Sequence, residues 1–228
     1  MFILVVIKHL MFIISDLFIK MNVCVEASIV MGKTSIIRNL ENMIKGTHKV
    51  EILTEPVQLW RNVAGRGLLQ LFGSDPIKFA FQTQVHIIST MAQQRQFKDE
   101  VEFRICERSI DASEHIFKPV LSEDGFITEI ESSILTDLYL TLKSRMPETN
   151  VIIYLKGSAD LAKMRIKDRQ FECDEQLPLA YLENLQRKHD EYIESKIVDG
   201  MKVLTINAAK DASDVALEAF KFIMEYVG

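Results

Sequence analysis

The amino-acid sequence predicts an α/β fold, a five-stranded parallel sheet with helices on both faces, and three observations carry that prediction. From Asn22 onward, short β-rich runs alternate with stretches of helical periodicity. A Gly32-Lys33-Thr34 tripeptide stands between the first run and a helical stretch. Carboxylates and charged pairs recur just after later runs, where open α/β sheets bind ligands.

Taken in order, the strands are NVCVEA (22–27), KVEIL (49–53), EFRICE (102–107), NVIIYL (150–155) and MKVLTI (201–206). Their apolar, β-branched content suits strands covered on both faces. SIIRNLENMI is the helix that follows the tripeptide. Leu179, Leu182, Leu185, Ile193 and Ile197 share one helical face, with Pro178 where a first turn tolerates proline. Val215, Ala219, Phe220, Ile223 and Val227 repeat that spacing, and Asp211 or Ser213 caps the start.

The chain has 228 residues, 48% of them hydrophobic and 26% charged, with no Pro, Gly or Ser tract, which suits one globular domain. A formal net charge of -5 speaks against broad polyanion binding, which needs clustered Lys and Arg, so no nucleic-acid partner is expected. Cys24, Cys106 and Cys173 form no C-x-x-C pair and cannot close a disulfide framework. A reducing, cytoplasmic setting is expected, with Cys24 and Cys106 as small apolar strand residues. The leading segment MFILVVIKHLMFIISDLFIK is apolar but broken by Lys8, His9, Ser15 and Asp16. A charge near the centre of a spanning helix costs about 2.5–3.5 kcal/mol, so membrane anchoring is not expected. Residues 1–20 read as an N-terminal extension and 21–228 as the working domain.

After the first strand, Glu26 to Thr34 meet the pattern G-x-x-x-x-G-K-[ST] except at its first position, where Ala27 stands. Such a loop turns backbone N–H groups toward phosphates. Ala27, Ser28, Ile29, Val30, Met31, Gly32, Lys33, Thr34 and Ser35 would surround the phosphates of ATP. Lys33 would reach the β and γ oxygens, and the Thr34 hydroxyl would serve Mg²⁺. If position 27 needs positive φ, alanine there costs roughly 1–2 kcal/mol. The bland alternative, a chance tripeptide opening a helix, loses weight because strand and helix flank it.

Glu55 follows the second strand and is placed to accept the proton of an attacking hydroxyl, although a capping acid beside Pro56 has the same signature. Glu107 and Arg108 follow the third strand. Arg108 would neutralise a moving phosphoryl group and Glu107 would help hold Mg²⁺. A surface ion pair is the competing reading. Arg165 and Arg169, four apart on a helix after the fourth strand, would close over ATP from one face, where a solvated charge stripe is the alternative.

Together these segments resemble the deoxynucleoside kinase family from about Met21 to the end of the chain. The resemblance rests on the phosphate loop, LTEPVQLWRNVAGRGLLQLFGSDP, FAFQTQV, CERSIDASEHIF and RIKDRQFECDEQLPLAYLENL. It implies a P-loop kinase fold with a short arginine-bearing lid, Glu55 as general base and Arg108 as phosphate-binding arginine. It implies that Gln82 reads the pyrimidine edge, Trp60 and Phe81 wall the base, and Asp174 binds the sugar 3′-hydroxyl. A homodimer through helices flanking the sheet is implied too. Departures from the family pattern are Ala27, Ser28 and Val30 in the loop, Gly73 where a tyrosine is usual and Phe171 where the lid carries an arginine. Ser89 and Ser113 stand where deoxycytidine kinases place an Arg and Asp pair, leaving Ser113 as a small residue in the substrate pocket. The activity expected is transfer of the γ-phosphate of ATP to a deoxynucleoside 5′-hydroxyl. A degenerate nucleotide-binding scaffold is the alternative, and a thymidylate-type monophosphate kinase is disfavoured because E-R-S stands where those enzymes resemble D-R-[YH].

Overall fold

β1 (Met21–Ala27) runs up the middle of a five-stranded parallel sheet and is buried along its whole length. The computed structural model describes residues 21–95, 101–169 and 177–226. The sequence segments 1–20 and 170–176, with Cys173, Phe171 and Asp174, lie outside the described residues, as does Val227.

The chain continues through α1 (Lys33–Ile44), β2 (Val50–Leu53), α2 (Val57–Arg61), α3 (Leu68–Ser74), α4 (Pro76–Gln94) and β3 (Phe103–Glu107). A π-helical turn (Ser113–Phe117) leads into α5 (Lys118–Glu123) and α6 (Glu129–Lys143). Then follow β4 (Val151–Lys156), α7 (Ala159–Arg169), α8 (Leu179–Val198), β5 (Lys202–Asn207) and α9 (Ala212–Met224). Strand order is β2-β3-β1-β4-β5, so the expected α/β architecture is present with each strand within about a residue of its sequence-based limits.

Alternation along the strands explains the two layers. Val23 and Val25 of β1, with Phe103, Ile105, Val151, Ile153 and Leu155, meet Ile36, Ile37, Leu40 and Ile44 of α1 and Val215, Ala219 and Ile223 of α9. The opposite face carries Asn22, Cys24 and Glu26 opposite Arg104 and Cys106, with Ile152 and Tyr154 beneath Tyr192 and Ile193 of α8. Cys24 and Cys106 are register partners, both buried, as small strand residues should be. Arg104 is fully buried and pairs through Nε with Glu51 Oε2 at 2.7 Å, joining β2 to β3.

Helix starts follow local chemistry. Asp75 accepts from the Lys78 N–H ahead of Pro76, and Thr128 with Glu131 forms a capping box on α6. Asp211, rather than Ser213, caps α9 by accepting from the Ser213 N–H at 2.8 Å. In α8 the apolar face is rotated from the expected one. Leu182, Leu185, His189, Tyr192 and Ile193 are buried, whereas Leu179 and Ile197 at its ends are 40% and 52% exposed. Pro178 is the N-cap residue, one position before the first turn. Among the described residues no helix is long and apolar enough to cross a membrane.

Candidate active site

The carboxyl ends of β1, β2 and β3 bring the sequence-predicted groups together. From β1 the chain turns through Ser28 to Met31, and Gly32 serves as N-cap of α1 at φ 90. The expected strain at Ala27 is not there: that residue ends β1 with ordinary φ, and the left-handed non-glycine residue of the loop is Val30 at φ 53. A β-branched residue rarely takes this conformation. Gly157, just beyond β4, gives the loop room, because a Cβ there would run into the sulfur of Met31.

Lys33 is buried, and its Nζ reaches the Ser28 carbonyl at 3.4 Å, so the ammonium lies along the loop. Burial and the neighbouring Arg108 lower its pKa, while Glu55, Glu107 and Glu26 pull it back up. The Thr34 hydroxyl donates to Glu107 Oε1 at 2.8 Å, uniting the two residues expected to serve Mg²⁺. Ser35 opens the first turn of α1, its N–H bonded to the Gly32 carbonyl at 3.1 Å. Arg165 arches over from α7, donating to the carbonyls of Val30 at 3.4 Å and Ala208 at 2.7 Å, and so borders the loop. The side chain of Arg169 lies outside the described residues.

Glu55, two residues beyond β2, accepts from Arg108 Nε at 2.6 Å. Burial would raise the carboxyl pKa, but Arg108 and Lys33 outweigh it and hold Glu55 below the usual carboxylate range. It is therefore a carboxylate at neutral pH. The capping reading of Glu55 is not supported, since α2 shows no side-chain cap. Arg108 is buried, so the reading of Arg108 as one half of an exposed surface pair also fails. Its backbone is left-handed at φ 60, its N–H donates to the Val25 carbonyl at 3.0 Å, and its guanidinium lies 4.8 Å from the centre of the Phe117 ring.

The expected nucleoside seat lies along α4 and the π-helical turn. Gln82 is exposed and its amide makes no hydrogen bond among the described residues, so donor and acceptor are both available. Phe81 is half-buried against Ala80, Ile88 and Leu121. Trp60 is mostly enclosed, its Nε1 donating to Thr90 Oγ1 at 2.9 Å, so it braces α2 against α4. Ser113 is buried at the start of the π-helical turn.

Two residues that sequence reasoning missed support Arg108. His189 Nε2 lies 3.3 Å from Arg108 Nη1, and Arg95, the C-cap of α4, donates through Nη2 to the carbonyls of Glu107 and Arg108. No motif flags either one. The only sequence signal is that His189 falls on the buried face of α8, four residues after Leu185.

Comparison with known proteins shows the family. A family model described as deoxynucleoside kinase matches residues 23–227. Human "Thymidine kinase 2, mitochondrial" is 30% identical over 175 residues, covering 76% of this chain and 64% of its own length, so the chain spans somewhat under two thirds of that relative. Chicken deoxycytidine kinase 2 is 27% identical over 199 residues, covering 76% of this chain and 74% of its own. A solved deoxyadenosine kinase from M. mycoides, with dCMP and dCDP bound, superposes with a TM-score of 0.75 at 19% identity, covering 90% of this chain and 99% of that one. That likeness carries the fold. With the match spanning nearly every described residue, the chain belongs to the deoxynucleoside kinase family.

Proposed function

We propose that this protein is a deoxynucleoside kinase that moves the γ-phosphate of ATP to the 5′-hydroxyl of a deoxynucleoside. The observation that carries the reading is the Glu55–Arg108 pair at 2.6 Å, set at the ends of adjacent strands beside Lys33 and the Thr34–Glu107 contact. Glu55 orients the 5′-hydroxyl and takes its proton as the oxygen attacks the γ-phosphorus. The bond to the β–γ bridging oxygen breaks and ADP leaves. Lys33 and Arg108 meet the negative charge spread over the transferring oxygens. Thr34 and Glu107 offer the hard hydroxyl and carboxylate oxygens that Mg²⁺ prefers, and they would hold it. That ion would supply positive charge to offset the phosphate charge of ATP.

Gln82 would select the base through its free amide, with Phe81, Trp60 and Ser113 shaping the seat. Asp174 and Arg169 keep the roles the family resemblance gives them. The resemblance also supports a homodimer, with a second copy pairing on the adjacent helices α4 and α6, where Ile77, Ile130 and Ile134 stand exposed. A cytoplasmic location remains part of this reading. A catalytically weak nucleotide-binding scaffold is favoured by one observation only, the strained Val30 in the loop.

The test is phosphate transfer from ATP with Mg²⁺ to each of the four deoxynucleosides. Lys33→Ala should abolish transfer and leave the far-UV circular dichroism spectrum unchanged, because the hydrogen bond lost is a long one to the Ser28 carbonyl and alanine suits a helix start. Unchanged turnover in that variant would take Lys33 out of the transfer step, and no transfer to any deoxynucleoside by the wild type would replace the kinase reading with the scaffold.

A further inference from the structure

Arg108 is held on several sides, and the group behind it lies on an element that contributes no other site residue. His189 comes from the middle of α8, is fully buried, and faces the guanidinium across the sheet's polar layer. We propose that His189 is a positioning residue for phosphoryl transfer: its Nε2 accepts from Arg108 Nη1 and fixes the guanidinium beside Glu55 and Lys33. The proposal rests on the kinase reading above.

One tautomer satisfies both of the ring's hydrogen-bond contacts, to Arg108 and to Leu185, at once. Arginine has donors and no acceptor, so the imidazole nitrogen opposite Nη1 must present its lone pair. The proton then sits on Nδ1, and Nδ1 is in fact 2.7 Å from the Leu185 carbonyl, an acceptor. Charge on the ring is disfavoured in the same direction. Burial and the cation of Arg108 push the His189 pKa down to about 3, against the opposing pull of the Leu185 and Ala27 carbonyls. Tyr154 lies parallel to the ring, 6.4 Å between centres and 6° between planes, and Phe117 meets it edge-on at 6.3 Å. The Tyr154 hydroxyl is itself tied to Asp190 at 2.9 Å and accepts from Gln186 at 2.8 Å. The imidazole therefore has little freedom to turn.

A free arginine side chain has many rotamers and many directions for its fork. Here Nε is taken by Glu55, Nη1 by His189 and one face by Phe117, so a single orientation is selected. Nη2 makes no hydrogen bond among the described residues and is the nitrogen left for a phosphoryl oxygen. Because Glu55, His189 and Phe117 orient the fork, the benefit should appear in kcat rather than in nucleoside affinity.

Two amides separate the functions of the ring. In His189→Asn the side-chain nitrogen can still serve the Leu185 carbonyl but does not reach Arg108. His189→Gln places its oxygen where Nε2 was. The expected result is a fall in kcat of roughly 10- to 100-fold for Asn, with KM for the nucleoside little changed, and recovery of most of the rate by Gln. Full kcat in a folded Asn variant, or equal losses in Asn and Gln, would overturn the role. Where neither variant folds, ¹⁵N NMR of the wild-type histidines decides: an Nδ1–H tautomer at His189 supports the brace, and an Nε2–H tautomer overturns it. A wild type without transfer activity overturns the kinase reading and this role with it. A wild type that transfers phosphate, with an Asn variant at full rate, overturns this role alone.

Discussion

Glu55 enters the reaction already ionised, since Arg108 and Lys33 more than compensate for its burial. A group with a lowered folded pKa is deprotonated above that value and loses its base form only as pH falls through it. The acid limb of kcat/KM that belongs to Glu55 should therefore lie below the ordinary glutamate value of about 4.3. Glu55→Gln keeps the shape and removes the acceptor charge, and its kcat should fall by about 10² to 10⁴. A limb at pH 5 or above that vanishes in the Gln variant, or a Gln variant at wild-type rate, would reassign the base. Residues at this level were legible where chemistry is contiguous in the chain: Gly32, Lys33 and Thr34 declare themselves by adjacency. The strain was misplaced onto Ala27 because a motif names positions and not torsions, and Val30 carries it instead. His189 was invisible for a different reason, since its partner Arg108 is 81 residues away.

Strand pairing makes a second kind of demand. Glu51 and Arg104 are register partners on β2 and β3, and the fully buried guanidinium keeps Nη1 and Nη2 without partners among the described residues. Removing the carboxylate should leave a buried charge uncompensated, so Glu51→Ala is expected to cost about 3–5 kcal/mol in urea unfolding. A loss under 1 kcal/mol would mean that another group takes up the charge. Strands were readable because buried parallel strands are apolar runs bounded by polar turns. The face of α8 was read askew because counting only aliphatic residues omits His189 and Tyr192, which move its centre away from Leu179 and Ile197. The π-helical turn at Ser113 has no sequence signature, and CERSIDASEHIF was legible only as a resemblance.

At the scale of the molecule, strand order places β1 between β3 and β4, so the phosphate loop rises from the centre of the sheet with Glu55 and Arg108 to one side. The exposed isoleucines lie on α4 and α6. Ile130 is 74% exposed, and Ile130→Glu should leave folding intact while shifting a dimer to monomer in sedimentation velocity. A wild type that sediments as a monomer would remove the dimer from the functional reading. One element links two parts of the site: α4 bears Gln82 in its first half, and the chain reaches Arg95 at its end, where the guanidinium clasps the carbonyls of Glu107 and Arg108. These two points are separated by roughly 20 Å along a helix that rises about 1.5 Å per residue. The helix is in effect a gauge block between the end proposed to read the base and the arginine proposed to meet the phosphate. Deleting a single residue from its middle would shorten the gauge by about 1.5 Å and turn one end against the other by about 100°. Substitutions on its surface can retune selectivity, but its length in residues is not free to drift.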